Sequence, residues 1–114
     1  GIVRYPAWGL VLVVGLGGIW VEIMKDAVLR MLPVSAEEVK TAIKGLRAYP
    51  LLNGARGAKP VDLDVLAAEI AAIADIAYRL GDRLEALEVN PLRASADGVE
   101  ALDALVTWAD DRSK

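Results

Sequence analysis

The sequence predicts an α+β domain, a mostly antiparallel sheet with two helices packed on one face. Three observations lead there. Apolar, strand-like runs fall at both ends of the chain, two helical patterns fill the middle, and glycine-containing turns separate neighbouring runs. At 114 residues the chain makes one domain, residues 1–114, large enough to bury a core but not to hold two. A content of 55% hydrophobic and 25% charged residues is globular and excludes disorder.

Leu10 to Val14 is a continuous apolar run rich in valine, as expected for a strand covered on both faces. "GLGG" at 15–18 breaks it, and Ile19 to Met24 resumes as a second strand. Adjacent glycines take positive φ without steric cost, so the pair reads as a hairpin. A third strand is expected over Ala27 to Leu32, after a turn at Lys25-Asp26 and before Pro33. Ser35 then opens a helix, because "SAEE" sets a hydroxyl at the N-cap and Glu38 three residues on, a capping box. Val39, Ala42, Ile43 and Leu46 follow at helical spacing. The stretch 48–60, "AYPLLNGARGAKP", reads as an ordered loop. A second helix is expected from Leu63 to Leu80, burying Leu66, Ile70, Ile73 and Ala77 and capped by Gly81. The last two strands come from 84-LEALEVNPLRASADGVEALDALV-106, with "SADG" between them.

Composition also limits the chemistry. A net charge of −3 with no large basic cluster predicts no nucleic-acid partner. The chain has no cysteine and no histidine, which excludes thiolate sites, Ser-His and Cys-His catalysis, and a phosphohistidine of its own. Any bound metal is held by oxygen, which favours Mg²⁺, Mn²⁺ or Ca²⁺. The uncharged segment from Tyr5 to Val21 falls short of the roughly 20 residues a membrane span needs and holds Pro6 and four glycines. It is followed by Glu22, Lys25 and Asp26 rather than a cleavage site, so no membrane association is expected.

The polar residues of the last hairpin are the candidate site. Residues two apart in a strand share a face, so Glu88 and Asn90 point one way and Leu87 and Val89 the other. With Asp97-Gly98 as a two-residue turn, Ala96 faces Val99, Leu92 faces Asp103 and Asn90 faces Leu105. Asp103 then shares the face of Glu88 and Asn90, diagonal to Asn90. A one-residue slip would reverse that, and Pro91 marks a place where the ladder loses a donor. Two carboxylates and an amide on one face suit a hard divalent cation; a solvated sheet face is the plainer reading of the same spacing.

Four phrases in order, "VVGLGGIWVEIMKD" (13–26), "PLLNGARG" (50–57), "LEVNPL" (87–92) and "ALDAL" (101–105), resemble the NDP-forming acyl-CoA synthetases. These include succinyl-CoA synthetase and ADP-forming acetyl-CoA synthetase, and the match is to the C-terminal part of their ATP-grasp domain. The resemblance implies a cytoplasmic ligase converting acid, CoA and NTP to acyl-CoA, NDP and phosphate through an acyl phosphate and a phosphohistidine. It implies Mg²⁺ and ATP/ADP as cofactors, with Asn90 and Asp103 as the Mg²⁺ ligands. Glu88 matches the glutamate that meets the phosphorylatable histidine. Gly17, Gly18 and Glu22 fall beside the nucleotide. The glycines also read as a plain hairpin turn, and Glu22 as a salt-bridge partner of Lys25 or Arg30; Arg56 reads as tying down its own loop.

"YPAWGL" (5–10) departs from the family's Asp-Pro-x-(Phe/Trp)-Gly-Pro, with Tyr5 in place of the acid and Leu10 in place of the second proline. The implied partners are the other ATP-grasp half and the CoA-binding and phosphohistidine domains, without which the 114 residues are expected to be inactive. The alternatives are a non-catalytic module whose exposed face docks a partner or forms a homo-oligomer, and a small membrane-associated protein using residues 5–24, which detergent-free solubility would eliminate.

Overall fold

The computed structural model describes residues 1–15, 26–54, 57 and 59–110. Its main sheet has five antiparallel strands: β1 (Ile2–Tyr5), β2 (Gly9–Gly15), β3 (Ala27–Met31), β4 (Leu84–Val89) and β7 (Ala104–Trp108), in the order β3-β2-β1-β4-β7. A separate ribbon pairs β5 (Leu92–Ser95) with β6 (Gly98–Ala101). Two longer helices, α1 (Ala36–Lys44) and α3 (Leu63–Leu80), pack on each other and on the sheet, and a four-residue helix, α2 (Tyr49–Leu52), lies between them. The α+β class and the antiparallel sheet match the sequence expectation.

β1 was not anticipated, yet it is the central strand. Ile2 pairs with Leu12 on one side and Leu87 on the other, and is 1% exposed. The turn to β2 is closed by the Trp8 N–H donating to the Tyr5 carbonyl at 3.1 Å, and Gly9 takes φ +76°, which glycine alone accepts without strain. Leu10, Val11 and Leu12 are all buried, so both faces of β2 are covered as its unbroken apolar run requires. Gly15 is the last residue of β2, paired with Ala27, rather than the first of a turn. The remainder of the expected glycine turn and the strand at Ile19–Met24 lie outside the described residues, as do Gly17, Gly18, Glu22 and Arg56.

α1 begins as expected. The Ser35 Oγ accepts the Glu38 N–H at 3.1 Å, while Glu38 Oε1 accepts the Ser35 N–H at 3.2 Å. Losing this cap should cost about 1 kcal/mol, so Ser35→Ala is expected to lower the urea midpoint by that cost divided by the slope, with the slope itself unchanged. Within the stretch expected to be loop, Tyr49–Leu52 makes one helical turn, because Pro50 at its start has its φ already set and needs no N–H partner there.

Asp62 caps α3 by accepting the Val65 N–H, and Gly81 ends it at φ +57°. Its buried stripe is Leu66, Ala67, Ile70, Ala74 and Ala77, with Ile73 half-buried at the margin. Leu66, Ala67, Ile70 and Ala77 meet Val39, Ile43, Leu46, Ile2, Leu12, Leu84 and Leu87 in one core. Arg4 braces the entry to β4, donating from Nε to the Leu84 carbonyl at 3.0 Å and from a terminal nitrogen to the Gly81 carbonyl at 2.7 Å.

Across the outer surface, Lys40 Nζ reaches Asp64 Oδ1 at 2.6 Å and joins α1 to α3. The hydrogen bond holds Asp64 below the usual carboxylate range and Lys40 above the usual lysine range. The pair therefore contributes fully from above about pH 4 to about pH 10. It is lost as pH falls through the lowered Asp64 value or rises through the raised Lys40 value. Thermal melts should show Asp64→Asn slightly less stable than the parent at pH 7, with the difference shrinking as pH falls through the lowered Asp64 value. Among the described residues, no helix is long and apolar enough to cross a membrane.

Candidate functional site

The last hairpin is divided into four strands, where two were expected. β4 and β7 stay in the main sheet, whereas β5 and β6 leave it as the ribbon. The division falls at Asn90-Pro91, a cis peptide, opposite Leu102-Asp103. Proline has no N–H to give a ladder, and the strands on both sides stop there.

Past a bulge between Leu84 and Ala86, one register runs through both parts. Leu87 pairs with Val106, Glu88 with Leu105 and Val89 with Ala104; past the break Leu92 pairs with Ala101 and Ser95 with Gly98. The same offset sets Asn90 opposite Asp103, and the Asn90 N–H donates to the Asp103 carbonyl at 3.1 Å. The Leu102 N–H donates to the Pro91 carbonyl at 3.1 Å on the next step. This corrects the expected pairing of Leu92 with Asp103 and Asn90 with Leu105. The turn is Ala96-Asp97, one residue earlier than expected, with the Asp97 N–H on Ser95 Oγ at 3.2 Å. The correction moves the partner of Asp103 by two positions, from Leu92 to Asn90, and an even shift preserves the face.

That face looks away from the helices. Leu87 is buried against them, so Glu88 lies on the opposite side with Leu105, and both are exposed. Asn90 and Asp103 are exposed too. Asp103 Oδ1 accepts the N–H of Ala104 at 2.9 Å, which anchors the carboxylate at the start of β7 and leaves Oδ2 outside that bond. Glu88 lies against Gly1: a Cβ added there would sit 3.7 Å from the Glu88 Cγ. A cavity of ≈ 550 Å³ is walled by Gly15, Ala27, Glu88, Asn90 and Pro91 among others, with Asp103 outside its lining.

Asn90 and Asp103 are thus brought together across the ladder, with Glu88 one pair further in on the same face. Among the described residues, no three carboxylates gather as a metal cluster of their own. A cation here would rest on the Asp103 carboxylate, the Asn90 amide oxygen and other ligands. Sequence reasoning missed Asp26, which is buried and accepts the N–H groups of Arg47 and Ala48. An acid between Lys25 and an apolar strand carries no sign of burial in the sequence.

Residues 1–107 match the ATP-grasp domain family, to which the chain belongs. Within that family the chain resembles ADP-forming acetate–CoA ligases. It is 39% identical over 104 residues to the acetate–CoA ligase [ADP-forming] I subunit beta of Pyrococcus furiosus, covering 91% of this chain and 44% of that subunit. It is 30% identical over 103 residues to the acetate–CoA ligase [ADP-forming] I of Archaeoglobus fulgidus, covering 90% of this chain and 15% of that protein.

A solved structure of Ca. Korarchaeum cryptofilum dinucleotide forming acetyl-coenzyme A synthetase 1 superposes with a TM-score of 0.87 at 30% identity, covering 95% of this chain and 50% of that one. That structure holds coenzyme A and Mg-AMPPCP, its phosphohistidine segment pointing towards the nucleotide binding site. The chain spans less than half the length of the Pyrococcus furiosus beta subunits it matches.

Proposed function

We propose that the chain forms the C-terminal portion of an ATP-grasp module in an NDP-forming acyl-CoA synthetase, where it places Mg²⁺-nucleotide for phosphoryl transfer. The observation that carries this is the opposition of Asn90 and Asp103 on the helix-free face, with Glu88 beside them. The donor set fits Mg²⁺, being hard, exposed oxygen from one carboxylate and one amide. Asn90 and Asp103 would hold the ion, which supplies charge neutralisation at the nucleotide phosphates. Asp103 is kept in place by the Ala104 N–H, and Asn90 by its main-chain bond to Asp103. Glu88 would receive the phosphorylatable histidine of another domain, since this chain has no histidine. Gly17, Gly18 and Glu22 are assigned to the nucleotide side of the same site.

In this reading the protein is cytoplasmic and works with the other ATP-grasp half and with CoA-binding and phosphohistidine domains. The 114 residues alone would not catalyse, because one lobe cannot close over its substrate. The test is a titration of Mg-ADP into the ¹⁵N-labelled chain. Shifts centred on Glu88, Asn90 and Asp103 support the reading; a folded chain that shows none up to millimolar nucleotide rejects it.

A second reading is favoured by the edge of the sheet. β7 carries Leu105, Val106 and Trp108 exposed at 60%, 39% and 57%, beside exposed Leu102, with no charge within the strand. Such an edge suits a protein partner or a second copy. Sedimentation of the chain across a hundredfold concentration range separates a monomer from self-association.

A further inference from the structure

Among the described residues, Asp26 is the only polar or charged side chain that is buried. Its two oxygens are divided between consecutive amides: Oδ1 accepts the Arg47 N–H at 2.8 Å and Oδ2 the Ala48 N–H at 3.0 Å. A carboxylate buried without partners is costly, and this one is satisfied by main-chain donors alone. Those donors need two hydrogen-free oxygens in a fork. Asparagine offers one, and its NH₂ would face the second N–H.

The position joins two stretches far apart in the fold's sequence. Asp26 immediately precedes Ala27, which pairs with Gly15 and, with Gly15, walls the cavity that Glu88 and Asn90 also line. Ala48 is the N-cap of α2, the turn that leads into Asn53 and Gly54. One carboxylate therefore ties the wall of the cavity beside Glu88 and Asn90 to the segment that leads into the 50–57 phrase.

We propose that Asp26 is a positioning residue, locking the chain at Arg47-Ala48 against the Gly15-Ala27 wall and so setting the nucleotide affinity of the site. The proposal rests on the nucleotide reading above. The experiment is an NMR titration of Mg-ADP into the 114-residue chain and into its Asp26→Asn variant. In the variant, the Arg47 and Ala48 amide protons should move upfield as they lose a charged acceptor, while amides of β1, β4 and α3 stay in place. The Mg-ADP dissociation constant should rise on the order of tenfold, about 1.4 kcal/mol.

Equal affinity in parent and variant overturns the role and leaves the nucleotide reading intact. Failure of the parent to bind Mg-ADP overturns both. If the variant does not fold, hydrogen exchange in the parent decides. Bound Mg-ADP should then slow exchange at the Arg47 and Ala48 amides, and unchanged rates overturn the proposal.

Discussion

Asp103→Ala is expected to remove most of the cation-dependent function while leaving the fold in place. The bond that sets Asn90 opposite Asp103 uses the main chain of both residues, so it survives loss of the side chain. The carboxylate is exposed, and its hydrogen bond to the Ala104 N–H is replaceable by water, so the stability change should stay within about 0.5 kcal/mol. In a ligase containing this chain, the loss of one fixed charge at the phosphates should lower kcat/KM on the order of 10²-fold. Asp103→Asn, which keeps one oxygen, should fall between the two. Steady-state kinetics across a Mg²⁺ series, with thermal melts of each variant, make the measurement. Wild-type kinetics in a folded Asp103→Ala enzyme would mean that the pair is a wetted corner of the sheet.

The largest stability effect is expected at Ile43. Its side chain is 1% exposed on the inner face of α1, in the core formed by α3 and the sheet. Ile43→Ala removes three carbon atoms from a site with no route to solvent. Such changes cost about 2–5 kcal/mol, through lost transfer energy and a cavity the neighbours fill only partly. Against the total of roughly 5–15 kcal/mol typical of a domain, that is a large share. Urea unfolding should show a much lower midpoint at an unchanged slope. A loss below about 1 kcal/mol would mean that α1 closes onto α3 to fill the space.

The helices were legible in the sequence because their signals are local. The Ser35–Glu38 box, the 3.6-residue spacing of Val39, Ala42 and Ile43, and the glycine after Leu80 each act within a few residues. β1 was not legible. It is four residues long and contains Arg4, whose charge is accommodated by carbonyls at Gly81 and Leu84, some eighty positions away. The site lies between these cases. Alternation places Glu88 and Asn90 on one face from sequence alone, and the face of Asp103 survived a mistaken turn because the error was even. The division of the hairpin at Pro91 was legible only as a lost donor. Whether the ribbon stays in the sheet depends on tertiary packing that the hairpin sequence does not contain.

The single register through sheet and ribbon has a consequence for how the chain tolerates changes in length. Asn90 and Asp103 are aligned by the ladder on the core side, from Leu87↔Val106 to Val89↔Ala104, and not by the turn at the far end. Residues added or removed at Ala96-Asp97 would lengthen or shorten the ribbon and leave the pair opposed. One residue removed from Ala104 to Val106 would slide Asp103 to the other face and set its carboxylate towards the core. Insertions and deletions are therefore harmless at the tip and ruinous opposite Leu87 to Val89, within the same hairpin.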